Sequence, residues 1–407
     1  MRHRMSATYA GNVDAAYDYW IAAGARVASS WGLKNAGQND LQTRAEVSCA
    51  AVMSDARPRI LTGDTPTGRL HIGHWVGSLE NRVRLQDQYD CYFLIANMHA
   101  YTTRAERATD VRRDTIEIAK DWLSVGIDPE RSTLVLQTEI PAIAELSWYF
   151  AMLLPFNRVM RNPTLKAEIE AKDLGDHYSF GFPLYAVGQC ADILAFRAEL
   201  VPVGEDQKAH IEMCREVARS FNRIYGGIDP TTKDDDAVAQ GGVFPIPSAL
   251  LGRISRLIGT DGKHKMSKSL DNAIFLSDDT ATILKKTKKV VTGRQSATDP
   301  GVIEDNALFQ YARAFMTDTA RYAELATLYT AGQIGDGDVK KEVAGAIDSF
   351  LAPIRERRAG FEGPTGDARI LEILREHTSR ANAVAEETLR MAKAAMKLDF
   401  GARKLTF

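Results

Sequence analysis

Two short stretches far apart in the chain carry residues suited to chemistry at a phosphate. The first is Thr65-Pro66-Thr67-Gly68-Arg69-Leu70-His71-Ile72-Gly73-His74. It follows a short apolar run, Pro58 to Thr62, that reads as a strand, and it precedes an amphipathic pattern from Ile72 to Gln88 that reads as a helix. In a parallel sheet, ligands bind where a strand's carboxyl end feeds a helix N-terminus, because free N–H groups and the helix dipole favour an anion there. Gly68 and Gly73 let the backbone approach a nucleotide, and His71 and His74, at i and i+3, supply donors to phosphate oxygens. Taken alone, this motif indicates a nucleotide α-phosphate and also suits small nucleotidyltransferases.

The second stretch is Lys265-Met266-Ser267-Lys268-Ser269, preceded by the polar loop Gly259 to His264. Nucleotidyl transfer asks a protein mainly for positive charge where the pentavalent transition state gains negative charge. A loop carrying Lys265 and Lys268 can close on a triphosphate and release when pyrophosphate leaves.

With both motifs present, the chain resembles a class I aminoacyl-tRNA synthetase from about residue 57 to 407. The resemblance implies ATP-dependent formation of an aminoacyl-adenylate and transfer to the terminal adenosine of a tRNA. It also implies Mg²⁺ travelling with ATP, with no dedicated protein metal site. His71, His74, Lys265 and Lys268 would be the catalytic groups. Thr65, Pro66, Thr67, Gly73, Met266, Ser267 and Ser269 would contact ATP with them.

The amino acid is addressed by Tyr185-Ala186-Val187-Gly188-Gln189-Cys190-Ala191-Asp192 and by Val201-Pro202-Val203-Gly204-Glu205-Asp206-Gln207-Lys208. Tyr185, Gln189 and Asp192 fall at i, i+4 and i+7, so a helix presents all three on one face. Buried polar groups are costly unless paired. The three therefore either satisfy one another and the backbone or face a ligand. Both segments resemble those of tryptophanyl-tRNA synthetases. The resemblance gives Asp192 the indole N–H, gives Gly204, Glu205 and Asp206 the adenosine, and lines the amino-acid pocket with Tyr185, Gln189, Val203, Gln207 and His99. Lys166 matches a family lysine that meets the triphosphate.

Several positions depart from the family pattern: Thr65-Pro66, His74, Gln189 and Cys190. The sister tyrosyl family also carries Tyr-x-x-x-Gln before an aspartate. Its residue before the aspartate is commonly bulky, whereas Ala191 leaves room for a bicyclic ring. A different class of function is a synthetase-like regulator that binds tryptophan or nucleotide without charging tRNA. Intact His71–His74 and Lys265–Ser269 motifs speak against lost catalysis.

The elements that must position these groups follow from periodicity. Cys91 to Ala96 and Ser132 to Gln137 read as buried strands, and Val111 to Val125 and the chain from about Ala142 read as helices. The fold class is α/β: a Rossmann-like nucleotide-binding parallel sheet followed by a mostly helical C-terminal domain. The expected division is an N-terminal extension over 1–56, with Met53 as the natural start, then a catalytic domain over 57–250. The Lys265–Ser269 loop region spans 251–278, and a helical anticodon-binding domain spans 279–407, with breaks near Gly332 to Gly337 and Gly360 to Gly366.

Composition narrows the class further. The chain has 407 residues, 45% hydrophobic and 26% charged, with 51 basic and 53 acidic side chains and a formal net charge of -2. A tRNA must then be held by local basic patches, such as Lys285, Lys286, Lys288, Lys289 and Arg294, because the whole molecule offers no positive field. No apolar run is long enough to span a membrane. Cys49, Cys91, Cys190 and Cys214 form no C-x-x-C pair, which argues against a zinc knuckle and fits a reducing cytoplasm. By the resemblance, the assembly is a homodimer.

Overall fold

The computed structural model describes residues 57–175, 177–251 and 257–400, without the Asp206 side chain; the expected extension over 1–56 and the start at Met53 lie outside the described residues. β1 (Arg59–Asp64) leads into α1, which runs as Ile72–His74, a π-turn Trp75–Leu79 and a last stretch Glu80–Leu85. Then come β2 (Asp90–Ile95), α2 (Tyr101–Arg104), α3 (Ala108–Val125) and β3 (Ser132–Leu136). Next are α4 (Pro141–Ala151), α5 (Phe156–Met160), α6 (Pro163–Ala171), α7 (Gly181–Ala195), β4 (Leu200–Val203), α8 (Lys208–Gly226) and β5 (Ser248–Leu251). The remainder is helical: α9 (Thr280–Lys288), α10 (Ala307–Phe315), α11 (Thr319–Thr330), α12 (Asp336–Ala359) and α13 (Gly363–Ala395).

The five strands lie in the order β3-β2-β1-β4-β5 and every pairing is parallel. Strand order reverses between β1 and β4, which makes their carboxyl ends the switch point where a ligand crevice opens. Alternate strand residues serve opposite faces, as the period of two requires. Ile60, Phe93, Ile95 and Leu134 pack with α1, α3 and residues of the C-terminal helices such as Phe309 and Leu351. Leu61, Tyr92, Leu94 and Val135 pack with α4, α7 and α8 through Phe150, Phe182, Ala186 and Phe221.

The first three strands appear where the apolar runs place them. The last two escape the hydrophobic pattern. β4 contains Pro202, which has no N–H to give a ladder. Its backbone register with β1 is confined to Ile60↔Leu200, and the Thr62 hydroxyl donates to Pro202 O at 2.7 Å in support. β5 is mostly exposed, so it lacks a buried stripe.

The β3 edge is covered by α13. Leu134 N–H donates to His377 Nδ1 at 3.2 Å and Leu136 N–H donates to Thr378 Oγ1 at 3.0 Å. Side chains of a C-terminal helix thus satisfy an edge that would otherwise invite pairing with another chain.

Candidate active site

The turn after β1 is fixed on three sides. Gly68 adopts φ +101, a backbone conformation that glycine reaches without strain. Arg104 of α2 donates to Pro66 O and pairs with Asp114 of α3 at 2.7 Å. Leu70 and Ile72 pair with a later segment: Leu276 N–H donates to Leu70 O at 3.0 Å, and Ile72 N–H donates to Ile274 O at 2.9 Å. The residues just past Lys265–Ser269 are therefore laced to the His71 turn.

His71 and His74 stack with ring centroids 3.8 Å apart. A Cβ on residue 73 would stand 2.9 Å from His71 Nδ1, so glycine is what lets the first ring fold over the turn. His71 N–H donates to His74 Nδ1 at 3.1 Å. A backbone amide can only donate, so neutral His74 carries its proton on Nε2 and presents a donor there. Burial pushes His71 down to about 2, with His74, Lys268 and Lys265 adding to the effect. Burial likewise pushes His74 down to about 4, against the opposing pull of Asp64. Both imidazoles are neutral hydrogen-bond donors at pH 7.

Beside this turn, Asp64 pairs with the buried Arg82. Burial alone would raise Asp64, but Arg82 holds it below the ordinary carboxylate range. Arg82 approaches at 2.7 Å and 3.1 Å, and Trp122 Nε1–H donates at 2.9 Å.

The lysine loop docks on the same turn. Lys268 Nζ donates to Thr67 Oγ1 at 3.0 Å and to Gly68 O at 2.8 Å. Burial lowers Lys268 to about 8, while Asp64, Asp121 and Asp114 act to raise it. Lys265 is exposed and Met266 is buried as the loop's apolar anchor. Asn272, 2% exposed, braces the loop: it accepts from Ser267 N–H at 2.7 Å and donates to Asp261 at 3.0 Å and Lys265 O at 3.3 Å. Ser267 and Ser269 hydroxyls pair at 3.0 Å.

The second half of the crevice belongs to α7. Tyr185, Gln189 and Asp192 do lie on one helix, and they do not satisfy one another through any bond seen among the described residues. Each has its own partner from a different element. Tyr185 OH donates to Glu168 of α6 at 3.0 Å, Gln189 donates to Gln207 at 3.3 Å, and Asp192 Oδ1 accepts from Gln137 Nε2 at 2.7 Å.

Gln137, wholly buried at the end of β3, is the organiser of this corner. Its Oε1 accepts from Met98 N–H at 3.0 Å and His99 N–H at 3.3 Å, which fixes the amide's orientation. The amide nitrogen must then donate to His99 Nε2, 3.2 Å away. The His99 proton therefore sits on Nδ1, which faces Asp192 Oδ2 at 3.7 Å. Burial raises Asp192, and His99 and Gln137 oppose the rise. Burial and the Glu168 carboxylate push the Tyr185 phenol well above its usual value.

Sequence reasoning missed three residues at this site. Gln137 and Asp121 belong to no contiguous motif. Gly188 would, with a Cβ, meet His99 Nε2 at 2.8 Å; its place between Tyr185 and Asp192 on the polar helix face was the available signal. Val203, Gly204, Glu205 and Gln207 follow directly at the end of β4, with Glu205 exposed and paired to Lys208 at 2.7 Å. Lys166 is exposed on α6. In the basic cluster, Lys285, Lys288 and Lys289 are exposed, but Lys286 pairs with Asp278 at 2.6 Å and Arg294 pairs with Asp336 at 3.2 Å.

Comparison with known proteins identifies the family and the fold. The family of class I tRNA synthetases (W and Y) matches over residues 53–352. The chain is 44% identical over 345 residues to the tryptophan–tRNA ligase of Treponema pallidum, covering 84% of this chain and 97% of that one. It is 44% identical over 345 residues to the tryptophan–tRNA ligase of Chlamydia caviae, covering 82% and 94%. The tryptophanyl-tRNA synthetase from Campylobacter jejuni complexed with ADP and tryptophan superposes with a TM-score of 0.70 at 29% identity, covering 83% of this chain and 99% of that one. The chain belongs to the class I tRNA synthetases of the tryptophan and tyrosine group, and within it to the tryptophan–tRNA ligases.

Proposed function

We propose that the crevice between the β1 turn and α7 binds ATP and L-tryptophan, forms tryptophanyl-adenylate, and passes the tryptophanyl group to tRNA(Trp). The observation that carries this reading is the docking of Lys268 on Thr67 and Gly68, beside the stacked His71 and His74. In the reaction, a tryptophan carboxylate oxygen attacks the α-phosphorus and pyrophosphate leaves. His74 Nε2–H and the His71 ring donate to α-phosphate oxygens, while Lys265 and Lys268 follow the charge developing on the leaving pyrophosphate. Thr65, Pro66, Thr67, Gly73, Met266, Ser267 and Ser269 shape the phosphate groove. Gly204, Glu205 and Asp206 take the adenosine, and Lys166 reaches the triphosphate from α6. Mg²⁺ arrives with ATP as part of the substrate.

Asp192 accepts the indole N–H, with Tyr185, Gln189, Val203, Gln207 and His99 around the ring and the ammonium group. Indole N–H is only a donor, so an acceptor-only carboxylate suits it, and a site built on such a bond rejects an analogue that lacks it. The region 279–407 reads the anticodon, and the exposed lysines of α9 meet tRNA phosphates. Trp148 of α4, Met152 just after it and Phe156 at the start of α5 are each more than 60% exposed, and we assign these apolar side chains to the two-fold contact of a homodimer. No helix among the described residues is long and apolar enough to cross a membrane, and we place the enzyme in the cytoplasm.

The test is exchange of labelled pyrophosphate into ATP, run with tryptophan, tyrosine and phenylalanine in turn. Exchange with tryptophan only is the expected result. Exchange with tyrosine would move Asp192 to a phenol-binding role, and no exchange with any of them would favour a non-charging regulator.

A further inference from the structure

Helix α3 contributes a carboxylate that belongs to neither motif. Asp121 is 1% exposed. Its Oδ2 accepts from Leu70 N–H at 2.6 Å, the peptide directly before His71. Its Oδ1 accepts from Arg358 Nη1 of α12. Arg358 is itself buried, and it donates through Nη2 to Glu117 at 2.6 Å and through Nε to Glu362 at 2.9 Å. The same joint is bolted twice more, by Arg357 Nε to Ser124 O at 2.6 Å and by Lys120 to Asp367 at 2.8 Å.

The corner between α12 and α13 thus grips α3, and α3 grips the turn that aims the imidazoles. The 274–276 segment holds Leu70 O and Ile72 N–H, and Asp121 supplies the acceptor for Leu70 N–H.

We propose that Asp121 is a positioning residue for adenylate formation, and that Arg358 makes the C-terminal helices necessary for that first step even without tRNA. The proposal rests on the activity argued above. Misplacing a reacting group by about 1 Å can cost about 100-fold in rate, and the Leu70 N–H bond lies one residue from His71. Burial pushes Asp121 up to about 6, with Glu117 adding to the rise and Arg358, Leu70 N–H and Lys268 opposing it. Removing Arg358 would therefore leave a carboxyl that protonates closer to neutrality and accepts more weakly.

The experiment uses the full chain and tRNA-free pyrophosphate exchange, with active sites counted by the single-turnover burst of adenylate. The variants are Arg358→Met, Arg358→Lys, Asp121→Asn and the Arg358→Met/Asp121→Asn pair. Per active site, kcat should fall about tenfold or more in Arg358→Met and Asp121→Asn, while KM for tryptophan stays within about twofold. Arg358→Lys keeps a cation beside Asp121 and should recover part of the loss. The double variant should be no worse than the poorer single one, because both act through one bond. A merely structural role would lower the number of active sites and leave turnover per site intact. Unchanged turnover per site, or additive losses in the double variant, overturns the proposal. Wild-type chain that fails to exchange with tryptophan overturns the underlying activity instead.

Discussion

The two halves of the crevice carry opposite charges under the same stress. On the β1-turn side, the proposed nucleotide half, the cationic groups are pressed toward neutrality: burial takes Lys268 to about 8, and His71 and His74 are neutral. On the α7 side an anion is pressed the same way, since burial raises Asp192 against His99 and Gln137. Each half therefore holds a desolvated group that a substrate of the right polarity would relieve: a triphosphate for Lys268, and a lone N–H for Asp192. The difference lies in how the groups are held. Lys268 reaches across from a loop and rests on Thr67 and Gly68. Asp192 sits in a helix, with a fixed amide already bonded to it. A loop lysine can follow charge as it forms, whereas a pre-set carboxylate can only select. The halves should accordingly divide between kcat and KM.

The sharpest break of that division is Lys268→Ala. Adenylate formation should drop about 100- to 1000-fold, the range for losing one group that stabilises transition-state charge. KM for tryptophan should hardly move. Pyrophosphate exchange measured against both substrates decides it, and an equal rise in both KM values would show that the loop also shapes the amino-acid pocket.

Next in size is Asp192→Ala. A hydrogen bond to a charged group contributes about 1.5–3 kcal/mol, so kcat/KM for tryptophan should fall about 10- to 100-fold. Most of the change should appear in KM, and the preference over phenylalanine should shrink by a similar factor. A fall confined to kcat would mean that Asp192 serves the reacting atoms rather than the ring.

These two residues also mark how far the sequence was legible. Lys268 and the two histidines sit in contiguous motifs, and the loop and turn that carry them were placed correctly because local chemistry identifies them. Helical spacing put Asp192 on a polar helix face, and the resemblance to tryptophanyl-tRNA synthetases gave it a ligand role. Its partner Gln137 was not found, because a single glutamine after β3 looks like any loop residue until the sheet brings it to α7. Asp121 was hidden for the same reason: it appears within an ordinary helical pattern, and its partners Leu70 and Arg358 lie far away in the chain. The sheet's last two strands were lost because Pro202 and an exposed edge erase the apolar alternation. What could be read was local periodicity and contiguous chemistry; what could not was long-range pairing.

An alkaline limb should follow from Lys268. A lysine lowered to about 8 is protonated below that pH and loses its charge above it. In the free enzyme, kcat/KM for ATP should therefore fall above about pH 8, approaching tenfold per unit once the lysine is mostly neutral. The bound triphosphate restores the charge, so the limb in kcat should move to higher pH. Lys268→Arg should flatten it. His71 and His74 stay neutral between pH 5 and 9, so an acid limb in that window must come from another group, with Asp121 near 6 the first to examine. A limb that survives in Lys268→Arg would assign it elsewhere.

The smallest effect tests whether the halves are mechanically separate. Gly188 lies inside α7, where glycine costs about 1 kcal/mol relative to alanine in an exposed helix. Gly188→Ala should gain part of that in helix stability, yet its Cβ would stand 2.8 Å from His99 Nε2. The ring must retreat, and the Gln137 amide that joins His99 to Asp192 must follow. The overpacking should outweigh that gain: a few-fold rise in KM for tryptophan, unchanged kcat and KM for ATP, and a melting temperature equal to or slightly below that of the wild type. If KM for ATP rises in step, the His99–Gln137–Asp192 set is coupled to the nucleotide side, and the division between a following loop and a selecting pocket fails at this residue.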